Sequence, residues 1–375
     1  MLPLSLYIHW PFCLSKCPYC DFNSHVQRHI TEEEWQKSLV FELNRYRNLT
    51  GPRLLRSIFF GGGTPSLMKP ETVAYVINHA QKLWGFHDGI EITLEANPNS
   101  VESQRFLDFK DAGINRISVG IQALNDQDLK TLGRQHSAKE AMQAIHVACN
   151  TFDRVSFDLI YARPNQTIRA WKEELTQALS FGTTHLSLYQ LTIEAGTAFA
   201  TLYDRGDLCL PSDTLSADLY DLTQSMMNAH AMRAYEVSNH AKKGFESQHN
   251  LAYWRYEDYV GVGPGAHGRL TVNHKKYATK QKRAPKSWYM GVQNGSGDDT
   301  VLELTHEEQN QERIMMGLRL EDGVVYEDCS EIINKETLNL LIREGFMLQT
   351  STHIHCTSKG RACLNAVLNK LLMPR

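Results

Sequence analysis

The segment His9-Trp-Pro-Phe-Cys13-Leu-Ser-Lys-Cys17-Pro-Tyr-Cys20 places three cysteines within eight residues, near the beginning of a 375-residue chain. Structural zinc sites are usually closed by four ligands, whereas this C-x3-C-x2-C loop supplies three thiolates. Three thiolates suit a cubic [4Fe–4S] cluster in which one iron stays open to a substrate or cofactor. The alternative is a chance clustering of a residue that occurs only eight times in the chain. The loop therefore predicts a reactive iron–sulfur site held by Cys13, Cys17 and Cys20.

The first half of the sequence alternates between strand-like and helix-like segments. The strand-like runs are rich in β-branched and aromatic residues, and they cover residues 4–9, 57–60, 91–96, 116–122, 155–161 and 185–192. The helical segments cover residues 31–49, 70–84, 99–112, 138–150 and 168–181, and Thr31 with Glu34 predicts a capping box for the first of them. Six strand–helix units predict an α/β fold with a parallel sheet, in an incomplete barrel or an open doubly wound sheet.

The second half changes its pattern near residue 213. A helix is expected to about residue 231, followed by an irregular segment over 235–268 and a loop-like segment over 275–300. The last part predicts helices at 307–318, 335–344 and 359–372 around a hairpin at 346–356, an order that resembles a winged helix. We therefore divide the chain into residues 1–210, a connecting region at 211–300, and a C-terminal α+β module at 301–375.

Composition argues against two classes of partner. The formal net charge is −3 and the pI is about 6.6, so there is no global basic field to hold nucleic acid, and residues 322–336 are acidic. No apolar run reaches the roughly 18–20 residues of a membrane span, and no positive segment precedes the first apolar residues. Thiolate ligands need a reducing compartment. These observations predict a cytoplasmic protein without a transmembrane segment.

Polar and glycine-rich residues follow several of the predicted strands. Gly61-Gly-Gly-Thr-Pro65 lets a ligand approach the backbone closely, although a tight turn explains it equally well. Glu95, Gln122 and Asp158 close or lie within later strands, where an unpaired carboxylate is costly to bury. Each could be a salt-bridged structural residue, but strand ends meet at one edge of a parallel sheet. Together these residues predict a cavity that binds a charged ligand.

The cysteine spacing is that of the radical S-adenosylmethionine (SAM) superfamily, and residues 4–200 resemble its oxygen-independent coproporphyrinogen III oxidase family. The shared motifs are Tyr7-Ile-His-Trp-Pro-Phe-Cys13, Gly61-Gly-Gly-Thr-Pro65, Glu95-Ala-Asn-Pro98, Arg116-Ile-Ser-Val-Gly-Ile-Gln122, Gly133-Arg134 and Asp158-Leu-Ile-Tyr161. The resemblance implies an incomplete six-unit (β/α) barrel whose open iron chelates SAM, which the cluster can cleave to a 5′-deoxyadenosyl radical. The residues that would contact SAM are Tyr7, Tyr19, Gly62, Gly63, Thr64, Glu95, Gln122, Arg134 and Asp158.

Three features depart from the oxidase pattern. Phe22 occupies the position where those oxidases carry a fourth cysteine, and only twelve residues precede Cys13 in place of their long N-terminal arm. Ala162 and Arg163 stand where the family usually has Gly-Leu, which changes the turn and adds a charge after the fifth strand.

The segment Gln248-His-Asn-Leu-Ala-Tyr-Trp254 contains the motif H-N-x-x-Y-W, with His249, Asn250, Tyr253 and Trp254. Imidazole is a common axial ligand of haem iron, and aromatic rings suit a flat porphyrin. Taken alone, the segment could be a loop histidine beside two core aromatics. It also resembles the HemW-type haem chaperones of the same family, as does Gly261-Val-Gly-Pro-Gly-Ala-His-Gly268, where His267 is a second candidate ligand.

This resemblance implies haem as cargo, delivered to apo-haemoproteins such as respiratory enzymes, with peripheral contact to the inner membrane surface where the recipients are membrane-bound. No catalytic residue is predicted. The main competing hypothesis is an oxidase-like radical SAM enzyme of porphyrin metabolism. A nucleic-acid-modifying enzyme would need a basic face on the C-terminal module.

Overall fold

The computed structural model describes residues 3–27 and 30–372 of the chain. Its centre is a run of six strands in which every neighbouring pair is parallel. In chain order they are β1 (Leu4–Trp10), β2 (Leu55–Gly62), β3 (Phe86–Ala96), β4 (Arg116–Gln122), β5 (Arg154–Tyr161) and β6 (His185–Gln190). The sequence-based prediction of six parallel strand–helix units is confirmed.

Helices follow each of these strands, and the longer ones pack against the sheet through apolar faces. They are α1 (Glu32–Thr50), α2 (Pro70–Trp84), α3 (Ser100–Ser103), α4 (Phe106–Asp111), α5 (Asp126–Thr131), α6 (Ala138–Thr151), α7 (Ile168–Ser180) and α8 (Ala198–Asp204). The side chains of one continuous core fill the space between the helices and the sheet. A stacked pair of indoles, Trp35 and Trp288, lies 5.4 Å apart between ring centres and joins α1 to a later helix.

Two details of the helix prediction are wrong. The Thr31 side chain makes no cap hydrogen bond, because its carbonyl oxygen instead accepts the Glu34 amide at 3.0 Å in a simple turn. The predicted helix at 99–112 is broken into α3 and α4. At the break, the Arg105 guanidinium donates to the carbonyl oxygens of Ser66 and Met68, which ties this segment to the turn after β2.

Six further strands extend the sheet on both sides. They are β7 (Arg233–Ala234), β8 (Asn239–Ala241), β9 (Tyr259–Val262), β10 (His267–Val272), β11 (Lys275–Gln281) and β12 (Asp298–Glu303). The hydrogen-bonded order is β12-β11-β10-β9-β1-β2-β3-β4-β5-β6-β8-β7. Because β9 pairs with β1 in parallel, β1 has a parallel neighbour on each side.

The loop-like prediction for residues 275–300 is therefore wrong, since this stretch forms β11, α11 (Pro285–Gln293) and the first half of β12. The segment predicted as irregular over 235–268 likewise contains β8, α10 (Gln248–Trp254) and β9. The reason is visible in β11, whose buried side chains include Lys276 and Gln281. Lys276 binds Asp258 at 2.7 Å and Gln281 donates to Asp298 at 2.6 Å. A strand that buries paired polar groups lacks the apolar alternation on which strand prediction depends.

The C-terminal part has the predicted winged-helix-like order. A long helix α9 (Asp213–Ala229) precedes the added strands, and the module then consists of α12 (His306–Gly317), β13 (Val324–Val325), α13 (Lys335–Arg343), β14 (Met347–Gln349), β15 (His353–Cys356), α14 (Ser358–Ala362) and α15 (Leu364–Leu371). The predicted last helix is split at Cys363, whose φ of −126° and ψ of 38° are not helical. In the part of the chain that the structure describes, no helix is long and apolar enough to cross a membrane.

Ala162 and Arg163, which depart from the oxidase pattern, have a clear structural role. Ala162 adopts a φ of +56°, a conformation that glycine takes more easily. Arg163 is buried and ion-paired with Glu174 on α7 and with Asp128 on α5. It also donates to the carbonyl oxygen of Ile160 at 2.9 Å. The extra charge after β5 therefore fastens two helices to the end of that strand.

This arrangement predicts that Glu174→Ala is strongly destabilising. The change leaves Arg163 buried with one carboxylate fewer and also removes the acceptor for the Leu124 amide. We expect a loss of about 3 kcal/mol in the free energy of unfolding, measured by chemical denaturation. Glu173→Ala, on the same helix, removes an exposed pair with Arg169 and should cost less than about 0.5 kcal/mol. Equal effects of the two changes would contradict this account of Arg163.

Candidate functional site

The ends of the parallel strands surround a cavity of about 420 Å³, here called the cysteine cavity. Cys13, Cys17 and Cys20 form one side of it. Eight of the nine residues predicted to contact SAM also line it, namely Tyr19, Gly62, Gly63, Thr64, Glu95, Gln122, Arg134 and Asp158. The ninth, Tyr7, lies outside this lining. Residues from six separate segments of the chain thus meet where the strand order predicts a site.

Polar groups hold the cysteine loop. Thr64 Oγ1 donates to Cys13 Sγ at 3.4 Å, and the Arg134 guanidinium donates to Cys17 Sγ at 3.5 Å. Burial raises the pKa of the Cys13 and Cys20 thiols, so the isolated loop favours protonated sulfur, and a bound metal would favour the thiolates. Within residues 3–27 and 30–372, no three His, Cys, Asp or Glu side chains are gathered closely enough to hold a single ion. The donors are soft sulfur ligands spread along one wall of a larger cavity.

Two glycines are required for this packing. A Cβ on Gly63 would lie 2.7 Å from the carbonyl oxygen of Phe12, the residue directly before Cys13. Gly133 adopts a φ of +68°, and a Cβ there would lie 2.5 Å from Cδ of Pro18, between the second and third cysteines. The glycine of the motif Gly133-Arg134 therefore lets the Arg134 segment approach the cysteine loop.

Two carboxyl groups in the cavity have no salt-bridge partner in the described part of the chain. Burial, and then the nearby charge of Asp158, raises the pKa of Glu95 to about 8. Burial likewise raises the pKa of Asp158 to about 6. Glu95 accepts one weak hydrogen bond, from the Gly62 amide at 3.3 Å, and Asp158 accepts from the Ser118 hydroxyl at 3.5 Å and from the Ser187 side chain. A cationic ligand group would restore the charged form of these acids.

Arg134 supplies the opposite charge. Its guanidinium donates to Asn97 Oδ1 at 2.9 Å and to the Gly120 carbonyl oxygen at 2.8 Å, while its buried Nε has no acceptor among the described residues. Gln122, on the same wall, adopts a φ of +75°, the kind of strained conformation that concentrates at binding sites. The cavity therefore contains an anion-binding side chain, Arg134, beside two carboxyl groups, Glu95 and Asp158. A ligand that carries an amino-acid group and a further positive charge would match this arrangement.

A second cavity of about 490 Å³ lies beside the first and is here called the aromatic cavity. Its volume is within the roughly 300–1,000 Å³ that small-molecule sites occupy. Tyr253 and Trp254 of the H-N-x-x-Y-W motif line it, together with Tyr259. Tyr7 lines this cavity, and its hydroxyl is hydrogen-bonded to His9 Nδ1 at 3.0 Å. Three residues, Gly62, Glu95 and Phe22, line both cavities.

His249 lies behind the wall of the aromatic cavity and is 1% exposed. Its Nδ1 is hydrogen-bonded to the Ser57 hydroxyl at 2.9 Å and its Nε2 to the Tyr253 hydroxyl at 2.6 Å. Burial, and then the charge of Arg116, lowers the pKa of His249 to about 3, so the ring is neutral. Asn250 donates to the Tyr235 hydroxyl at 3.2 Å. The motif thus places two aromatic rings on the cavity wall, while His249 is connected to the cavity through Tyr253.

Sequence reasoning missed most of the opposite wall. The sequence indicates His267 as a candidate ligand, but Lys280 and Arg283 fall within residues 275–300, which the sequence predicts to be loop-like. Met316 comes from the C-terminal module and also lines the cavity. The sequence signal for this part of the cavity is His267, near the end of a glycine-rich segment. Lys280 can be placed beside His267 only when the pairing register of β10 and β11 is known.

Comparison with known proteins agrees with this architecture. A model of the radical SAM superfamily matches residues 7–178, and a model of the HemN C-terminal domain matches residues 304–363. The chain is 37% identical to the heme chaperone HemW of Haemophilus influenzae, over 99% of this chain and 98% of that protein. The chain belongs to the HemW family. Another relative is the heme chaperone HemW of Escherichia coli, 34% identical over 99% of this chain and 98% of that protein.

Family relatives also occur in animals. The mitochondrial radical S-adenosyl methionine domain-containing protein 1 of Bos taurus is 37% identical, over 98% of this chain and 87% of that protein. Among solved structures, coproporphyrinogen III oxidase (HemN) from Escherichia coli matches 99% of this chain and 90% of its own, with a TM-score of 0.82 and 19% identity. That likeness confirms the radical SAM fold class predicted from the sequence.

The glycine contacts generate a test of the cysteine cavity. Gly133→Ala should displace the cysteine loop, because the new Cβ would meet Pro18. We expect a lower free energy of unfolding and less iron retained after anaerobic reconstitution. Gly182→Ala is a matched control, since Gly182 has a φ of +71° but nothing within 4 Å of its added Cβ. It should show only the conformational cost of about 1 kcal/mol and normal iron content. Normal iron content in Gly133→Ala would contradict the tight packing described here.

Proposed function

We propose that the protein is a haem chaperone built on a radical SAM scaffold. In this proposal a [4Fe–4S] cluster and SAM occupy the cysteine cavity, and haem is a cargo carried in the aromatic cavity. The observation that carries the proposal is that Tyr253 and Trp254 of the H-N-x-x-Y-W motif line a cavity that shares a wall with the cysteine cavity. The names of the bacterial relatives, heme chaperone HemW, support the same function.

The residues of the cysteine cavity fit the cluster and SAM. Cys13, Cys17 and Cys20 would hold the cluster, which when bound supplies an open iron for the amino and carboxylate groups of SAM. Arg134 has a buried Nε free to donate to the SAM carboxylate, and it also donates to Cys17. Glu95 would accept from the ribose or the ammonium of SAM. Either contact would stabilise a carboxylate whose one protein hydrogen bond comes from the Gly62 amide and which has no salt-bridge partner among the described residues.

The residues of the aromatic cavity fit a flat apolar ligand. Trp254 is held by the Arg319 guanidinium, 4.5 Å from its ring centre, and Arg319 is ion-paired with Glu236 at 3.0 Å. Tyr253 lies edge-on to Tyr259, with ring centres 4.4 Å apart. His249 would ligate the haem iron after the Tyr253 hydroxyl leaves its Nε2, and Asn250 would support the motif through Tyr235.

The proposed organisation assigns a task to each part of the chain. Residues 1–210 would hold the cluster and SAM, residues 211–300 would carry the haem motif, and residues 301–375 would close the aromatic cavity through Met316. Delivery would occur in the cytoplasm, to apo-haemoproteins that include membrane-bound respiratory enzymes. Nucleic acid is not a proposed partner, in keeping with the net charge of −3.

An oxidase-like enzyme of porphyrin metabolism remains the second candidate, because eight of the residues expected to contact SAM line one cavity. Phe22 argues against it. This residue stands where such oxidases carry a fourth cysteine, and its apolar side chain is 59% exposed between the two cavities.

Iron content tests the first half of the proposal. Anaerobically purified protein should carry about four irons per chain, and Cys13→Ala, Cys17→Ala or Cys20→Ala should each abolish the brown cluster absorbance. Cys149→Ala and Cys209→Ala are controls, because both residues are exposed and line neither cavity. Stoichiometric zinc in place of iron would refute the radical SAM function.

Haem titration tests the second half. The wild-type protein should give a Soret band typical of histidine ligation. We expect His249→Ala to reduce haem binding sharply, since it removes both the imidazole and the bond that positions Tyr253. Tyr253→Phe keeps the aromatic ring but frees Nε2, so it should still bind haem. The cluster should be intact in both variants. Haem binding by His249→Ala that equals the wild type would contradict the assignment of His249.

A further inference from the structure

The hairpin of β10 and β11 brings three nitrogen-bearing side chains to the aromatic cavity. His267 and Lys280 are direct partners across the two strands, so their side chains emerge on the same face. Arg283 follows two residues after the end of β11. All three residues line the cavity. A single hairpin thus places an imidazole and two cations along one wall.

These three side chains have no protein partner within residues 3–27 and 30–372, in contrast with their neighbours. On the same strand, Lys275 is ion-paired with Glu303 at 3.0 Å and Lys276 with Asp258 at 2.7 Å. Lys280 and Arg283 have no such carboxylate, and Glu95 is the only acid among the described residues that line this cavity. Two uncompensated cations beside aromatic rings indicate a ligand that is flat, apolar and doubly anionic.

We propose that Lys280 and Arg283 bind the two carboxylates of a tetrapyrrole, and that His267 is a second nitrogen ligand of its iron. This inference rests on the proposed function, because it concerns the cargo of the same cavity. It gives each wall a separate task. On the H-N-x-x-Y-W wall, Tyr253 and Trp254 contact the macrocycle, and His249 behind Tyr253 is one iron ligand. On the hairpin wall, Lys280 and Arg283 bind the carboxylate edge, and His267 is the other iron ligand.

The state of His267 suits this role. Desolvation at the cavity wall, and then the charges of Arg269, Lys280 and Arg283, lower the pKa of His267, which favours the neutral ring. Neutral imidazole is the form that binds a metal. Neither ring nitrogen has a hydrogen-bond partner in the described part of the chain, whereas both nitrogens of His249 are engaged. His267 is therefore available without rearrangement of the wall.

The test compares haem with iron-free protoporphyrin IX, which keeps both carboxylates but has no metal to ligate. Lys280→Met and Arg283→Met should each weaken binding of both ligands by about threefold to tenfold, because a charge-assisted contact at a partly exposed site is lost. His267→Ala should leave protoporphyrin affinity unchanged. With haem it should convert a low-spin, two-nitrogen spectrum into a high-spin one, seen in the Soret band and by EPR.

Matched controls separate these effects from changes in overall charge or folding. Lys139→Met, Arg205→Met and His87→Ala alter exposed residues that line neither cavity, and they should bind both ligands as the wild type does. Circular dichroism and cluster iron content should be normal in every variant. Lys280→Glu provides a second variant at the same position and should weaken binding of both ligands more than Lys280→Met does.

The outcomes distinguish this inference from the proposed function. Wild-type protein that binds neither haem nor protoporphyrin would refute the haem function itself. Wild-type protein that binds haem, with cation variants indistinguishable from Lys139→Met and Arg205→Met, would overturn the carboxylate assignment alone. An unchanged low-spin spectrum in His267→Ala would overturn the ligand assignment alone.

Discussion

The fold depends on how the segment from β1 to the cysteine loop is held at the centre of the sheet. The His9 ring is hydrogen-bonded to the Tyr7 hydroxyl at 3.0 Å and to the Asn23 carbonyl oxygen at 2.9 Å. The Asn23 amide donates in turn to the carbonyl oxygens of Pro264 and Arg283, at 2.8 and 2.9 Å. These bonds join the loop that carries the cysteines to the residues on either side of the β10–β11 hairpin. β1 has a parallel neighbour on each side, β2 and β9. The Asn23 bonds connect the loop after β1 to the segments that flank the hairpin next to β9. The two cavities therefore lie side by side.

The charges of the two cavities are opposed across their shared wall. Glu95 and Asp158 favour a cationic ligand group in the cysteine cavity, whereas Lys280 and Arg283 favour anionic groups in the aromatic cavity. Glu95 lines both, and burial already raises its pKa to about 8.

The sequence predicted those features that depend on short-range patterns. The spacing of the cysteines located the first cavity, and the apolar strand runs located the strands on which Glu95, Gln122 and Asp158 lie. The features that the sequence could not predict depend on pairing between strands. Lys280 becomes a candidate only when its register against His267 is known.

The burial of polar groups also misled the sequence reasoning. β11 was predicted as a loop because it buries Lys276 and Gln281, whose partners lie 18 and 17 residues away in the chain. The sequence indicates that Arg163 adds a charge after the fifth strand, but it does not show that Glu174 and Asp128 form ion pairs with this residue. His249 had the residue type of an iron ligand, but only the structure shows both of its ring nitrogens engaged. Residue identity indicated chemistry in these cases, while three-dimensional contacts decided its availability.

The central claim is that this radical SAM scaffold carries haem instead of oxidising its precursor. The most direct measurement uses one sample of the anaerobically reconstituted protein, divided between a haem titration and a turnover assay with coproporphyrinogen III and SAM. The account predicts saturable haem binding and no formation of protoporphyrinogen IX. Robust conversion of coproporphyrinogen III, unaffected by His249→Ala, would contradict it and establish the protein as an oxidase in which the H-N-x-x-Y-W segment is structural.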